Sequence, residues 1–580
     1  MADFIKKVKR FRFSETSTNA LLLFFLNGFL VFAFFLPNLS DINPWDEAAY
    51  YHAGMSLIEH GDWPQLAGNP LTTLFFGLTY LPFTSSIHWM IYSISLGRII
   101  LFALLWLGTY LIAKEVEDFA SPLVVLGFLF VTPLTLEMLR FPSDPLFAAL
   151  SALSLWQLLK FGKHPALKHL IFASSFMALA ALARNDGLVQ FVILVVLSAV
   201  LAFRKTIWWR SLGSVTIPFL VIVGGYVLLL GVSTGDFNLG VSERTYSNFE
   251  SGQQVIYLGP GELGQVIESR IEARRIFGTQ AENKNSVLRA ISNNPGAYID
   301  RLIATIQKLP TTGLEAYGKR FAVVIFYFVI RGIVALVRKK QYLLLVILVL
   351  WPMHLLTGFI ITLIRSGHLQ FPFYVVFVLA SIGLTATISN LGSQWERLII
   401  TIALLGFSGY GLLDNKLAIF YGAALTLIAI WIIIFSRKLG YPTKLEAFLV
   451  VLAVGIIVRG GYPSPKLPVL GVDPKEQAVV FLSETFQEGT FVGAGSPGVV
   501  WAAKMNYAGL NSSDVPVNRS SEEFIDWMRD QGIEIVYIDH SLYNSAPRVW
   551  ELIEPQIGLS LNRIFILEQG NFQILGVGEN

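Results

Sequence analysis

The sequence predicts an all-α polytopic membrane protein with about 13 transmembrane helices and a small outer C-terminal α/β domain. Of its 580 residues, 54% are hydrophobic and only 14% are charged, whereas about a quarter of the residues of a soluble protein are charged. The apolar residues form blocks, such as 21–36 and 343–364. Runs of about 17–25 apolar residues cross roughly 30 Å of hydrocarbon as helices, whose backbone hydrogen bonds are satisfied internally.

The apolar blocks define the order of the spans along the chain. The first block follows basic residues and has no small-residue cleavage site before Pro37, so we expect it to be retained as a span. Segment 71–84 is apolar but short and bounded by prolines, which indicates an interfacial segment. The predicted spans are 20–37, 89–112, 119–137, 145–161, 169–184, 187–203, 213–231, 321–337, 342–364, 370–388, 398–413, 417–435 and 445–459.

The distribution of basic residues predicts the orientation. Lys and Arg are frequent in the N-terminal segment and in alternate short connections, whereas residues 38–69 contain neither. Since cytoplasmic loops carry the excess of positive charge, the N-terminus is expected to be cytoplasmic. An odd number of spans then places the C-terminus outside the membrane.

Two polar regions interrupt the apolar pattern. The membrane domain is predicted to cover residues 1–459, with outer loops at 38–88 and 232–320, the second containing a helix at 263–277. Residues 460–580 begin with a proline-rich linker and are predicted to form an extracytoplasmic α/β domain. In this domain the patterns predict helices at 476–486 and 521–531 and strands at 490–492, 533–538, 563–567 and 572–577.

The composition excludes several kinds of site. The chain contains no cysteine, which excludes disulfides and thiolate metal centres. Its net charge is only +3, which argues against a nucleic-acid partner.

The first outer loop contains the strongest candidate motif, NPWDEAAYYH at 43–52 followed by EHGDW at 59–63. Asn43 suits an N-cap, and Gly61 suits the residue after a helix, so a surface helix is expected over 44–60. Asp46 and Glu47 would then lie in its first turn, near the positive end of the helix dipole. Two acidic residues that only cap this helix are an equally complete explanation.

Three further outer turns contain charged residues. The sequence RFPSDP at 140–145 supplies Arg140 and Asp144, and Asp144 is also a natural N-cap for the fourth span. The sharp turn ARNDG at 183–187 supplies Arg184 and Asp186, which would form a local ion pair. The sequence RSGHLQFP supplies two basic residues where the ninth span ends, and their alternative role is interfacial anchoring. These two residues are Arg365 and His368.

Together these turns predict one site at the outer ends of the spans. Charged residues at the ends of membrane spans are functional candidates, because placing a charged side chain in or near the hydrocarbon region is energetically costly. A carboxylate can act as a general base for a hydroxyl. Arginine forks match phosphate oxygens and stabilise charge on a leaving group.

Residues 45–63 resemble the first outer loop of the GT-C glycosyltransferases, and most closely the branch of the lipid A aminoarabinose transferases and protein O-mannosyltransferases. The resemblance implies that Asp46 is the catalytic base or orients the acceptor, with Glu47 beside it and Asp144 as a second acid. It implies that basic groups meet the donor phosphate. Aminoarabinose transferases often carry a lysine where this chain has Asn69 before Pro70, so this role would move to an arginine. The implied binding residues are Arg184, Arg365, His368, Arg140, Tyr50, His52, Asn69 and Asp186.

The resemblance also implies the partners and the chemistry. The expected donor is a sugar on undecaprenyl or dolichyl phosphate, and the expected acceptor is a hydroxyl of a glycan, lipid or protein outside the membrane. The expected reaction is a single inverting displacement at the outer face of the membrane. The lipid bilayer is a further expected partner, and nucleic acid is not. No cofactor is assigned, although Asp46, Glu47, His52 and Asp62 leave a divalent cation open.

Other functions remain alternatives. A transporter or flippase would carry ionisable residues near the bilayer midplane and two repeated halves. The chain shows no convincing repeat, and Arg98 within the second span is the main charged exception. A third alternative is a non-catalytic protein whose outer domains bind glycan. The sequence GAGSPG at 493–498, with Asp514 downstream, matches a dinucleotide fingerprint, but a tight strand-to-helix turn is the preferred interpretation.

Overall fold

A computed structural model of the chain describes its fold, and every statement below concerns the residues that it describes. Four of the predicted spans, 20–37, 398–413, 417–435 and 445–459, lie outside these residues. The described residues are 46–65, 68–131, 143–203, 208–235, 237, 240–257, 265–316, 319–356, 372–390, 473–510, 515–539, 542, 546–567 and 572–578.

The predicted first outer loop forms two helices that precede the first long apolar helix among the described residues. The first ends as predicted, since Gly61 adopts a φ of 77° and its N–H donates to the oxygen of Leu57. Pro70 begins the second helix, where a missing N–H leaves no hydrogen bond unmade. The helices up to residue 131 are α1 (Asp46–His60), α2 (Pro70–Tyr80), α3 (Trp89–Glu115) and α4 (Pro122–Val131).

Long apolar helices form the membrane part. Among the described residues, four helices are long and apolar enough to cross a membrane: Trp89–Glu115, Ser143–Lys163, Asp186–Phe203 and Trp209–Thr234. Each coincides with a predicted span, and the chain is therefore an integral membrane protein. The total of 13 spans stays a prediction. The helices after α4 are α5 (Ser143–Lys163), α6 (Leu167–Ala183), α7 (Asp186–Phe203) and α8 (Trp208–Thr234).

Residues 241–316 form a helical unit that we call the outer lobe. Its small core contains Tyr246, Phe249, Phe277 and Ala290. The predicted helix at 263–277 is observed over the described part of that range, and the sequence did not predict the others. The helices of the outer lobe are α9 (Val241–Ser251), α10 (Gln254–Tyr257), α11 (Gln265–Phe277), α12 (Val287–Asn293) and α13 (Pro295–Ala316).

The chain then returns to apolar helices, one of which is interrupted. The predicted span 342–364 is helical over its described part, up to residue 356, but the α-helix ends at Leu350 and a 3₁₀ turn follows at Trp351–His354. Pro352 has no N–H to continue the α-helical ladder. A Cβ on Gly332 would lie 2.1 Å from the Leu379 oxygen, so this glycine permits close helix packing. These helices are α14 (Lys319–Arg338), α15 (Tyr342–Leu350) and α16 (Phe373–Asn390).

The C-terminal residues form an α/β domain, as predicted. The sheet has the strand order β2-β1-β3-β5-β4, in which β1 pairs in parallel with β2 and β3 and β5 is antiparallel to β3 and β4. The short strand β2 was not predicted. The elements are α17 (Pro474–Thr485), β1 (Phe491–Ala494), α18 (Gly498–Ala502), β2 (Asn506–Gly509), α19 (Ser521–Asp530), β3 (Ile535–Ile538), α20 (Pro547–Ile553), β4 (Leu561–Leu567) and β5 (Phe572–Val577).

Candidate active site

The N-terminal end of α1 is fixed to the membrane helices by a buried ion pair. Glu47 is fully buried, and Arg98 of α3 is 4% exposed. Both oxygens of Glu47 accept from Arg98 Nη2, at 2.8 and 2.9 Å, and Oε1 also accepts from Nε at 3.1 Å. Breaking such a pair leaves a buried charge uncompensated. Glu47 therefore anchors α1, and the charged residue predicted inside the second span is its partner.

Asp46 precedes this anchor in the chain. It is the first residue of α1, and its side chain lies outside the described part of the structure. The Glu47–Arg98 pair nevertheless fixes the backbone beside it. Its assignment as the catalytic base stays a prediction.

Arg184 brings two carboxylates together in the turn between α6 and α7. Its guanidinium pairs with Asp144 of α5 and with Asp186, and its Nη1 donates to Ser143 Oγ at 3.4 Å. We call these three charged residues the Arg184 cluster. The predicted N-cap role for Asp144 is wrong, since α5 begins one residue earlier, at Ser143. The alternative of an ion pair between Arg184 and Asp186 is observed.

The turn itself needs a residue without a side chain. A Cβ on Gly187 would lie 2.5 Å from the Ala181 nitrogen, closer than packed atoms come. Thr72 of α2 donates to the Ala183 oxygen at 2.9 Å and so ties the first outer loop to this turn. Burial lowers the pKa of Arg184, but Asp144 and Asp186 outweigh it, and the pKa lies above its ordinary value.

Tyr50 joins α1, α2 and the outer lobe. Its hydroxyl accepts a hydrogen bond from the Asn69 amide and another from Arg244 Nη2 of α9 at 3.4 Å. Asn69 is buried and has a φ of 57°, a left-handed conformation that asparagine tolerates better than most residues. Tyr50 also contributes to the pKa of Arg184, so the hydroxyl lies within electrostatic reach of the Arg184 cluster.

His52 lies instead against the C-terminal domain. Its ring stacks on Trp501 of α18, with ring centroids 4.7 Å apart and planes 17° apart. Burial, and then His60, lowers the pKa of His52 from 6.5 to about 4. The ring is therefore neutral at pH 7, which does not favour the predicted role in binding a donor phosphate.

Two further contacts hold the C-terminal domain against the first outer loop. Lys504 Nζ lies 2.9 Å from Glu59 Oε1, and the same carboxylate accepts from the Tyr80 hydroxyl. Trp89 Nε1 donates to the Ala502 oxygen at 3.0 Å. The domain therefore rests on α1, α2 and the start of α3, beside the elements that carry the candidate site.

The glycine-rich sequence at 493–498 forms the strand-to-helix turn that the sequence favoured over a dinucleotide site. It connects β1 to α18. A Cβ on Gly495 would lie 2.6 Å from the backbone nitrogen of Leu542. Packing against that segment explains this glycine without a bound nucleotide.

A buried polar network lies below the Arg184 cluster in the membrane part. Ser151 Oγ of α5 donates to Gln190 Oε1 of α7 at 2.8 Å and lies 2.6 Å from the Tyr374 hydroxyl of α16. Trp351 Nε1 donates to this hydroxyl at 2.8 Å. These groups satisfy one another, as buried polar groups must.

Some candidates cannot be placed. Arg140, Arg365 and His368 lie outside the described residues, and their roles stay predictions. Within the residues that the structure describes, no group of three or more acidic or histidine side chains is arranged to hold a metal ion.

Sequence reasoning did not assign a role at the site to Arg98 or Arg244. A charged residue inside an apolar span was a usable signal for Arg98, because such a residue requires a buried partner. Arg244 gave no signal, since it lies in a polar loop where arginine is common.

Comparisons with known proteins show what the fold resembles. No family model matches the chain, and no curated protein matches it. The crystal structure of ArnT from Cupriavidus metallidurans bound to undecaprenyl phosphate matches with a TM-score of 0.54 and 13% identity, over 96% of this chain and 98% of that chain. The apo structure of the same enzyme matches with a TM-score of 0.53 and 13% identity, over 97% and 98% of the two chains.

These matches concern the fold, since so low an identity does not transfer residues or substrates. They cover nearly the whole of both chains. ArnT, the lipid A aminoarabinose transferase, is a member of the GT-C superfamily. The resemblance of this chain to the GT-C superfamily, predicted from residues 45–63, is therefore confirmed in its fold.

Proposed function

We propose that this protein is a membrane glycosyltransferase that moves a sugar from a polyprenyl phosphate to an acceptor hydroxyl at the outer face of the membrane. The observation that carries the proposal is the Arg184 cluster. It lies at the ends of α5, α6 and α7 and is tied to the first outer loop through Thr72. A lipid-borne donor presents its phosphate and sugar at this depth of the bilayer. ArnT, which has the same fold, was crystallised with undecaprenyl phosphate.

The proposed reaction is a single displacement with inversion. The acceptor oxygen forms a bond to the anomeric carbon while the bond from that carbon to the phosphate oxygen breaks. The bonding electrons leave with the polyprenyl phosphate. The acceptor proton passes to the carboxylate of Asp46, which acts as the general base.

Positive charge must stabilise the departing phosphate. We assign this role to Arg184 and Arg244, with Arg140, Arg365 and His368 as further candidates. Arg244 contacts Tyr50, which also binds Asn69, so Arg244 supplies a cation near the position where aminoarabinose transferases often carry a lysine. Asp144 and Asp186 hold Arg184 until the phosphate arrives.

A transporter or flippase is the second candidate, and the buried polar network favours it. Ser151 lies eight residues along α5 from Ser143, which is about 12 Å deeper at 1.5 Å per residue. It meets the interrupted helix at Trp351–His354, and transporters bind solutes at such broken helices near the midplane. The charged residues of the Arg184 cluster, however, lie at the helix ends.

The test is sugar transfer by the purified full-length protein from a panel of polyprenyl-phosphate sugars, with release of polyprenyl phosphate as the readout. The variants are Asp46→Asn and Asp144→Asn. The matched control is Asp118→Asn, an exposed aspartate beyond the opposite end of α3. We expect release by the wild type and the control, and a loss in Asp46→Asn while donor binding is retained.

Equal release by the wild type and Asp46→Asn would remove Asp46 from the mechanism and leave Asp144 as the base to test. Movement of a lipid-linked or polar solute across proteoliposomes, unaffected by Asp46→Asn but lost in Ser151→Val, would instead support the transporter.

A further inference from the structure

The outer helix α13 has an inverted distribution of polar and apolar side chains. Ile299, Ile303 and Ile306 are 53%, 48% and 54% exposed. They are four and three residues apart, so they lie on one face of the helix. A helix that packed only against its own lobe in water would direct these side chains inward.

The opposite face of α13 is polar and points into the outer lobe. Arg301 is 3% exposed, donates to the Phe249 oxygen at 2.8 Å and lies over the Phe249 ring at 4.3 Å. Lys308, two turns further along this face, is exposed, and its Nζ donates to the Val255 oxygen at 2.7 Å. These bonds satisfy carbonyls near the ends of α9 and α10, and they prevent α13 from rotating its isoleucines inward.

A third face of α13 carries exposed polar residues. Asp300 and Gln307 are both exposed and, at 100° per residue, lie beside the isoleucines on the helix circumference. An exposed apolar stripe next to an exposed polar one is typical of a helix that lies in the plane of a membrane interface.

The position of α13 in the chain identifies what covers the stripe. The outer lobe is entered from α8, which is long and apolar enough to cross the membrane and carries exposed apolar residues such as Leu228 and Val232. The chain leaves the lobe at Ala316 and begins α14 at Lys319. The lobe is thus held at the membrane surface at both ends, and the stripe is continuous along the chain with lipid-facing helices.

We infer that α13 is an interfacial helix whose isoleucine face lies in the outer leaflet of the bilayer and seats the outer lobe on the lipid surface. This contact with lipid fixes the height of the outer lobe above the bilayer, and the lobe contains Arg244, which donates to the Tyr50 hydroxyl. The inference goes beyond the proposed function and does not depend on it.

The absence of cysteine from the chain makes site-directed spin labelling direct. Nitroxide labels are placed at Ile303→Cys and, in separate proteins, at Ile299→Cys and Ile306→Cys, so that one badly folded variant does not decide the result. The full-length protein is measured in lipid nanodiscs by power saturation with oxygen, which enriches in lipid, and with a water-soluble nickel chelate. Leu228→Cys on α8 is the lipid control, and Gln307→Cys on α13 is the water control.

We expect the isoleucine positions to show the high oxygen and low nickel accessibility of Leu228→Cys, with a ratio several-fold above that of Gln307→Cys. High nickel accessibility at all three positions would overturn the inference, because the stripe would face water. Low accessibility to both reagents would also overturn it, because a protein surface, such as a second copy of the chain, would cover the stripe.

Discussion

Two sets of carboxylates and arginines join separate helices, and they differ in how completely their side chains are buried. Glu47 and Arg98 form an ion pair whose side chains are 1% and 5% exposed. In the Arg184 cluster one arginine serves two carboxylates, and the side chains of Arg184 and Asp186 are 21% and 31% exposed. A closed pair is suited to holding two elements together. An accessible arginine with two partners can exchange one of them for a phosphate.

Burial lowers the pKa of His52, which stacks on an aromatic ring and not on a carboxylate. Arg98 and Arg184 have carboxylates in direct contact. His52 stacks on Trp501, and burial favours its neutral form.

The stability of the protein should depend most strongly on the Glu47–Arg98 pair. Arg98→Met leaves the Glu47 carboxylate buried without its arginine, and we expect a loss of about 3–5 kcal/mol in the free energy of unfolding. The melting temperature of the purified protein in detergent, with denaturant unfolding alongside, measures this effect.

The double variant Glu47→Leu/Arg98→Met is the control. Removing both charges should recover most of the lost stability, since buried pairs are often replaceable by apolar side chains. If the double variant is as unstable as Arg98→Met, the loss comes from packing around Arg98, and the pair does not anchor α1.

Substitution in the Arg184 cluster should reduce activity more than it reduces stability. Arg184→Ala removes a donor aimed at developing charge, and the loss of one such donor costs about 10²–10³ in turnover. The expected result is that loss in polyprenyl-phosphate release, with a much smaller change in melting temperature than in Arg98→Met.

Arg338→Ala, an exposed arginine at the end of α14, serves as the control for removing a cation. It should leave release unchanged. An Arg184→Ala protein that releases polyprenyl phosphate at the wild-type rate would show that the Arg184 cluster, like the Glu47–Arg98 pair, has only a structural role.

The sequence predicted much of the fold because apolar blocks and turn residues act locally. The spans 187–203 and 145–161 agree with α7 and α5 within a few residues, and Gly61 ends α1 as its type predicts. The 3₁₀ turn after Leu350 was not predicted, because one proline in a long apolar run is compatible with a kinked span as well as an interrupted one.

The candidate site was predicted less completely, because it depends on which turns meet in space. Asp144, Arg184 and Asp186 were identified from their turns, and the structure brings them together. The pairing of Glu47 with Arg98 was not predictable, since the two residues lie 51 positions apart in the chain. Arg244 depends on the packing of the outer lobe, which no local pattern encodes.

The stack of His52 on Trp501 predicts a stability change with pH. The pKa of His52 in the folded protein is about 4, below its ordinary 6.5. In the unfolded chain the ring binds a proton as the pH falls through 6.5, whereas in the folded protein it does so only near pH 4. The unfolded state is therefore favoured progressively as the pH falls from 6.5 to 4, by about 3 kcal/mol at most, at 1.36 kcal/mol per pKa unit.

His52→Phe separates this effect from the rest of the molecule, because phenylalanine keeps an aromatic ring against Trp501 and cannot bind a proton. Melting temperatures of the two proteins between pH 7.5 and 4 should diverge toward low pH, with the wild type losing more. Parallel curves would mean that His52 is accessible enough to take up its proton in the folded protein. The contact between α1 and the C-terminal domain would then rest on Lys504 and Glu59, a partly exposed pair of the kind that contributes about 0.2–1 kcal/mol.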